Sequence, residues 1–242
     1  MELTGKTILV VGGATGIGRA TAQLCAKRGA RVIVADFNTN DGAETARSIG
    51  CEFVQVDVSD EASVAAMCAA VARNNDKLDG LIQTAGVLKG AYVSIDDFDV
   101  ATFRKVIDVN TVGSFMCVKY AAPLLRKGVK PAVVLLSSVA ASGVSSSYAY
   151  GASKGGVSAL GITMAGKLAE EGIRVNTVCP GGISTAMKLG VIEEDARLRG
   201  LDQKKVLEDA RRELGDPEGV AKVLAFLVSD EADYVRGSMF TR

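Results

Sequence analysis

The stretch Thr7-Ile8-Leu9-Val10-Val11-Gly12-Gly13-Ala14-Thr15-Gly16-Ile17-Gly18-Arg19 runs three patterns together. Its first five residues, aliphatic and β-branched, read as a strand buried on both faces. Glycines at 12, 16 and 18 follow with the spacing G-x-x-x-G-x-G. Ile17, Ala20, Thr21, Leu24 and Cys25 then share one face at helical spacing, and Gly29 after Arg28 is a C-terminal stop. Strand, glycine turn and helix in that order predict the first unit of a doubly wound sheet. The glycines let the chain turn tightly and let a phosphate approach the backbone, and the helix start offers free N–H groups. Plain turns also use glycine, so the turn by itself does not establish a ligand.

The same alternation continues outward. Val/Ile/Leu-rich runs at 31–35, 52–56, 78–84, 132–137 and 174–179 are further buried strands separated by helical patterns. Asp216-Pro217-Glu218 reads as an N-cap, a first-turn proline and an acidic first turn opening a helix through Val228. No repeat or linker interrupts the chain, so 1–242 is expected to form a single domain. The charged stretch 184–215 is expected to be a helical flap over the substrate.

Composition narrows the chemistry. The 242 residues are 48% hydrophobic but 5% aromatic, as a Val/Ile/Leu/Ala core requires. Twenty-eight basic against 28 acidic residues leave no net charge and no basic stripe, which argues against nucleic-acid and membrane partners. The absence of histidine removes the commonest general base, the usual hydrolase triad and most zinc sites; no metal is expected. Cys25, Cys51, Cys68, Cys117 and Cys179 are scattered in apolar segments, as small core residues of a reducing compartment. With no leader pattern and no apolar run near the ~20 residues a membrane span needs, a soluble cytoplasmic protein is expected.

Asp36 ends the second strand about twenty residues after the glycine turn, where a carboxylate can accept hydrogen bonds from adenosine ribose hydroxyls. Turn and carboxylate together predict a dinucleotide site. They also favour NAD over NADP, because a 2′-phosphate at ~4 Å from a carboxylate near the surface is repelled by roughly 4 kcal/mol before screening. Arg19 is the counterweight, a cation able to accept that phosphate.

Tyr150 and Lys154 are four apart in a helical pattern running to about Glu171, and so share a face. A phenol at pKa ~10 is a poor base at neutral pH, and a neighbouring ammonium together with a positively charged nicotinamide favours the phenolate. Lowering it by ~3 units takes roughly 4 kcal/mol. A serine of the Ser137-Ser138 pair can donate to a substrate oxygen whose charge changes in the transition state.

These residues resemble the short-chain dehydrogenase/reductase family over essentially the whole chain. The resemblance rests on Gly12 to Gly18, Asp36, Asp57-Val58, Ala85-Gly86, Val109-Asn110, Ser137-Ser138, Tyr150 to Lys154 and Pro180-Gly181-Gly182-Ile183-Ser184-Thr185. It implies an α/β Rossmann fold with a seven-stranded parallel sheet and helices on both faces. Tyr150 would be the acid/base, Lys154 would hold the nicotinamide ribose, and Asn110 would position a relay water. Gly12, Thr15, Gly16, Ile17 and Gly18 would cradle the cofactor, Asp57 and Val58 would border adenine, and Ala85 and Gly86 would line its path. Pro180, Gly181, Ile183 and Thr185 would lie along the nicotinamide. A homo-oligomer, tetramer or dimer, is also implied.

The chain departs from the family pattern at four places. Val11 replaces a threonine, and Gln83-Thr84-Ala85-Gly86 replaces Asn-Asn-Ala-Gly, so that the asparagine's contact is either made by Thr84 or lost. The segment from Ser138 to Tyr150 is one residue short, so Ser-Ser-x-x-Ala favours Ser138 as catalytic whereas counting back from the tyrosine favours Ser137. The sequence ends at Thr241-Arg242 where the family runs on with Asp-Gly-Gly. The expected activity is interconversion of a secondary alcohol and a ketone. A catalytically silent dinucleotide sensor or scaffold is the alternative, and an epimerase fits poorly because such enzymes carry a larger C-terminal domain. The segments 91–99, 143–147 and 184–215 are expected to line the substrate pocket.

Overall fold

The computed structural model describes residues 2–241. Strands β1 (Thr7–Val11), β2 (Arg31–Asp36), β3 (Glu52–Gln55), β4 (Gly80–Gln83), β5 (Ala132–Leu136), β6 (Arg174–Cys179) and β7 (Gly237–Phe240) form one parallel sheet in the order β3-β2-β1-β4-β5-β6-β7. This is the doubly wound, Rossmann-type arrangement. Helices α1 (Gly16–Lys27), α2 (Thr39–Ile49), α3 (Glu61–Asn74), α4 (Val100–Ile107), α5 (Gly113–Leu125), α6 (Tyr148–Leu168), α7 (Ala186–Leu198), α8 (Gln203–Glu213) and α9 (Pro217–Leu227) complete the chain order.

Alternation along the buried strands builds two core layers. Ile8 and Val10 face Ala22 and Cys25 of α1 and Val220 and Leu224 of α9. Leu9 and Val11 face the other way, toward Val64 and Met67 of α3, Cys117 and Ala121 of α5 and Val157 of α6. The chain steps from the β3 edge back to β4, beside β1, so the strand order reverses between β1 and β4. A crevice is expected at the carboxyl ends of those two strands.

Local signals act as the sequence indicates. The Asp216 side chain accepts from Glu218 N at 2.8 Å with Pro217 in the first turn, and Gly29 takes a left-handed φ of +87° after α1. The edge strand β7 has no continuous apolar run, since Ser238 and Phe240 are exposed and only Gly237 and Met239 are half-buried. Between α4 and α5 one wide π turn, Asp108–Val112, carries Val109 and Asn110 inward. The stretch 184–215 contains α7 and α8 and is tied back by Ser184 N to Gly215 O at 2.8 Å and Gly215 N to Gly182 O at 2.9 Å. Among the described residues no helix is long and apolar enough to cross a membrane.

Candidate active site

A cavity of about 570 Å³ opens at the carboxyl ends of β1, β4, β5 and β6. Its floor is the glycine turn. Gly12 has φ +83°, and a side chain there would run into the Ala85 backbone; one at Gly18 would overlap the Gly12 carbonyl and come within 2.6 Å of Thr84 Oγ1. A surface stripped of side chains beside a helix start fits a pyrophosphate. Thr84, where the family pattern has an asparagine, donates through its hydroxyl to Val11 O at 2.8 Å. Thr15, Gly16 and Ile17 line the same floor, and Thr185 stands across from Gly16, its methyl 3.2 Å from where a side chain at Gly16 would begin.

Asp36 holds the turn as well as facing the cavity. Its Oδ2 accepts from Ala14 N at 2.9 Å and its Oδ1 from Asn38 N at 2.9 Å. Each oxygen keeps a further lone-pair direction, enough for ribose hydroxyls. Beyond it, Asp57 and Val58 border the cavity. Asp57 Oδ1 accepts from the Ser59 hydroxyl at 2.6 Å and its amide at 2.9 Å, and the hydroxyl bond chiefly holds its carboxyl below the usual carboxylate range.

At the other end Ser138, Tyr150 and Lys154 meet. The Ser138 side chain lies beside the Tyr150 phenol, whereas the Ser137 hydroxyl turns inward and donates to Lys154 O at 2.8 Å. Of the two serines left open by the spacing, Ser138 is the one facing the phenol. Ser147 caps α6, accepting from Tyr150 N at 3.3 Å, which places Tyr150 in the first turn and Lys154 one turn on. Lys154 Nζ donates to Leu136 O at 2.8 Å and lies 5.6 Å from the Tyr150 ring centroid.

Burial pushes the Tyr150 phenol above its ordinary value and the Ser138 hydroxyl only pulls it back in part. Lys154, fully enclosed, is itself brought down to about 8 by burial. A desolvated ammonium at this separation does not offset the burial of the phenol, so further lowering has to come from charge brought by a bound ligand.

Asn110 lies behind the cavity wall and is wholly buried. Its Oδ1 accepts from Val87 N at 2.7 Å, and its Nδ2 donates to Val87 O and Ser153 Oγ, both at 2.9 Å. A side chain at Gly86 would begin 3.1 Å from Asn110 Oδ1 and 3.3 Å from Lys154 Nζ, so this glycine keeps the space between them clear. Ala85, Pro180, Gly181 and Ile183 complete the walls. Sequence reasoning missed Phe37 and Lys105, which also line the cavity, and Ser153, which joins Asn110 to α6. Nothing in composition or periodicity marks those three.

The family model described as enoyl-(acyl carrier protein) reductase matches residues 12–241. The chain is 33% identical to (+)-borneol dehydrogenase 1 of Salvia officinalis, covering 98% of this chain and 91% of that one. It is 36% identical to cis-4-hydroxycyclohexanecarboxylate dehydrogenase of Sinomonas cyclohexanicum, covering 97% and 93%. Among solved structures, levodione reductase superposes with a TM-score of 0.87 at 30% identity, covering 99% and 96%. The chain is thus an oxidoreductase belonging to the short-chain dehydrogenase/reductase family, whose members bind a nicotinamide dinucleotide.

Proposed function

We propose that the protein interconverts a secondary alcohol on an alicyclic ring and its ketone, with NAD as cofactor and Tyr150 as the acid/base. The observation that carries this is that Ser138, Tyr150 and Lys154 line one wall of the same cavity that the glycine turn floors. A bound nicotinamide supplies the hydride acceptor or donor. In oxidation Ser138 holds the substrate oxygen, and Tyr150 Oη takes the hydroxyl proton; in reduction the same phenol returns it. Lys154 Nζ, anchored on Leu136 O, keeps positive charge beside the phenol. Asn110 acts as a positioning residue, bracing Val87 and hence the wall at Gly86.

NAD is favoured by Asp36, whose carboxylate faces the cavity with no cation within ion-pair reach among the described residues. The alicyclic class is supported by relatives named for borneol and for a hydroxycyclohexane acid, and by Val139, Val144 and Met187 at the open end. Exposed Phe115 on α5 and Ile162 on α6 support pairing of copies. The test is reduced-nicotinamide absorbance with NAD and with NADP against a panel of alicyclic and open-chain secondary alcohols. Turnover of ring alcohols with NAD is expected. A strong NADP preference would overturn the cofactor reading, and binding of NADH without turnover of any alcohol or ketone would favour the silent sensor.

A further inference from the structure

Asp41, in the first turn of α2, closes a ring of contacts behind Asp36, which lines the cavity. Ala14 N donates to Asp36 Oδ2, and Asp36 Oδ1 accepts from Asn38 N. Asn38 Nδ2 donates to Asp41 Oδ2 at 2.7 Å, Asp41 Oδ1 stands 4.0 Å from Arg19 Nη2, and Arg19 Nε donates back to Ala14 O at 2.7 Å. Arg19 is the cation that, from the sequence, can serve a 2′-phosphate. Here its Nε is spent on the turn and its outer nitrogen faces a carboxylate. Both side chains are partly exposed, so this pair is open to solvent and salt.

Resting on the NAD reading above, we propose that Asp41 is a cofactor-selectivity residue: it holds Arg19 against the glycine turn and so withholds from a 2′-phosphate the cation that would offset Asp36. Repulsion by Asp36 persists only while no guanidinium reaches the phosphate, because an Arg–phosphate pair with charge-assisted hydrogen bonds outweighs a single repulsive contact. Removing the charge of Asp41 while keeping its acceptor for Asn38 frees the outer guanidinium nitrogens with little other change. Asp41 thus acts through Arg19 and is a positioning residue.

The test is calorimetric titration of the full chain with NAD and NADP for wild type, Asp41→Asn, Arg19→Ala and the double variant, with a melting curve on each. In Asp41→Asn the ratio of NADP to NAD dissociation constants falls by roughly tenfold, the size of a hydrogen bond to a charged group. The fall shrinks as salt is added, and the double variant does not show it. Arg19→Ala alone leaves the ratio within about twofold of wild type, because the cation is already withheld. An unchanged ratio in folded Asp41→Asn, an equal fall in the double variant, or a large loss of NADP binding in Arg19→Ala overturns the proposal. Tighter binding of NADP than of NAD by wild type overturns the cofactor reading and this proposal with it, whereas an unchanged ratio in Asp41→Asn of a wild type that prefers NAD overturns this proposal alone.

Discussion

Ser153 and Asn110 are joined inside the protein, Asn110 Nδ2 donating to Ser153 Oγ at 2.9 Å. Ser153 Oγ donates in turn to Tyr150 O at 2.8 Å, so the π turn after α4 is tied to the first turns of α6. Ser153→Ala leaves a buried amide hydrogen without an acceptor, at a cost of about 1–3 kcal/mol. In a chain of this length each 1 kcal/mol lowers the melting temperature by about 2–4 °C. Thermal denaturation monitored by circular dichroism checks this; an unchanged midpoint would show that the link carries no stability.

Two glycines of α6 are expected to respond with opposite signs. A side chain at Gly161 overlaps Thr177 Oγ1 of β6, whereas at Gly166 nothing lies within 4 Å. Gly166→Ala removes helix-interior glycine and stabilises by about 0.5–1 kcal/mol. Gly161→Ala wedges helix from sheet and destabilises by about 1–3 kcal/mol. Urea midpoints for the two variants measure both, and a loss of stability in Gly166→Ala would contradict the packing described.

These two positions also show what is legible in the chain. Strands β1, β2, β4, β5 and β6 stand out as largely buried aliphatic runs and β3 as a shorter half-buried one, and the glycine turn, Asp36 and the Tyr150–Lys154 pair are local patterns. The edge strand β7 lacks such a run, and only the family resemblance implies it. The choice between Ser137 and Ser138 needs the path of the chain after β5, which turns one hydroxyl into the core and the other toward Tyr150. The partners of Asn110 lie 23 and 43 residues away, and the Arg19–Asp41 contact joins two different helices. Such contacts depend on how elements pack, which periodicity does not encode.

Lys154 gives the cofactor-free protein a specific pH dependence. Its folded value, about 8, lies below the ordinary 10.5. Between those values the unfolded chain holds a proton that the folded one has released, so stability rises with pH through this window. Below about 8 the buried charge weighs fully on the fold. Lys154→Met removes this dependence, and chemical denaturation at intervals from pH 7 to about 9, below the ordinary titration of tyrosine, reads it. Parallel stability profiles for variant and wild type would contradict the burial of a titrating lysine.

Turnover carries the opposite requirement on Tyr150. Because burial raises the phenol, the form that accepts a proton grows as pH rises, so kcat/KM for alcohol oxidation climbs and that for ketone reduction falls. Initial rates in both directions across the alkaline range check this, and profiles independent of pH would place the proton transfer elsewhere.

The most direct test of the account is Tyr150→Phe, which deletes one oxygen and keeps the ring. Turnover of an alcohol established for wild type is predicted to fall by roughly 10²–10⁴-fold, while the dissociation constant for NAD stays within a few-fold. Wild-type turnover in the Phe variant would contradict the assignment of Tyr150 as the acid/base.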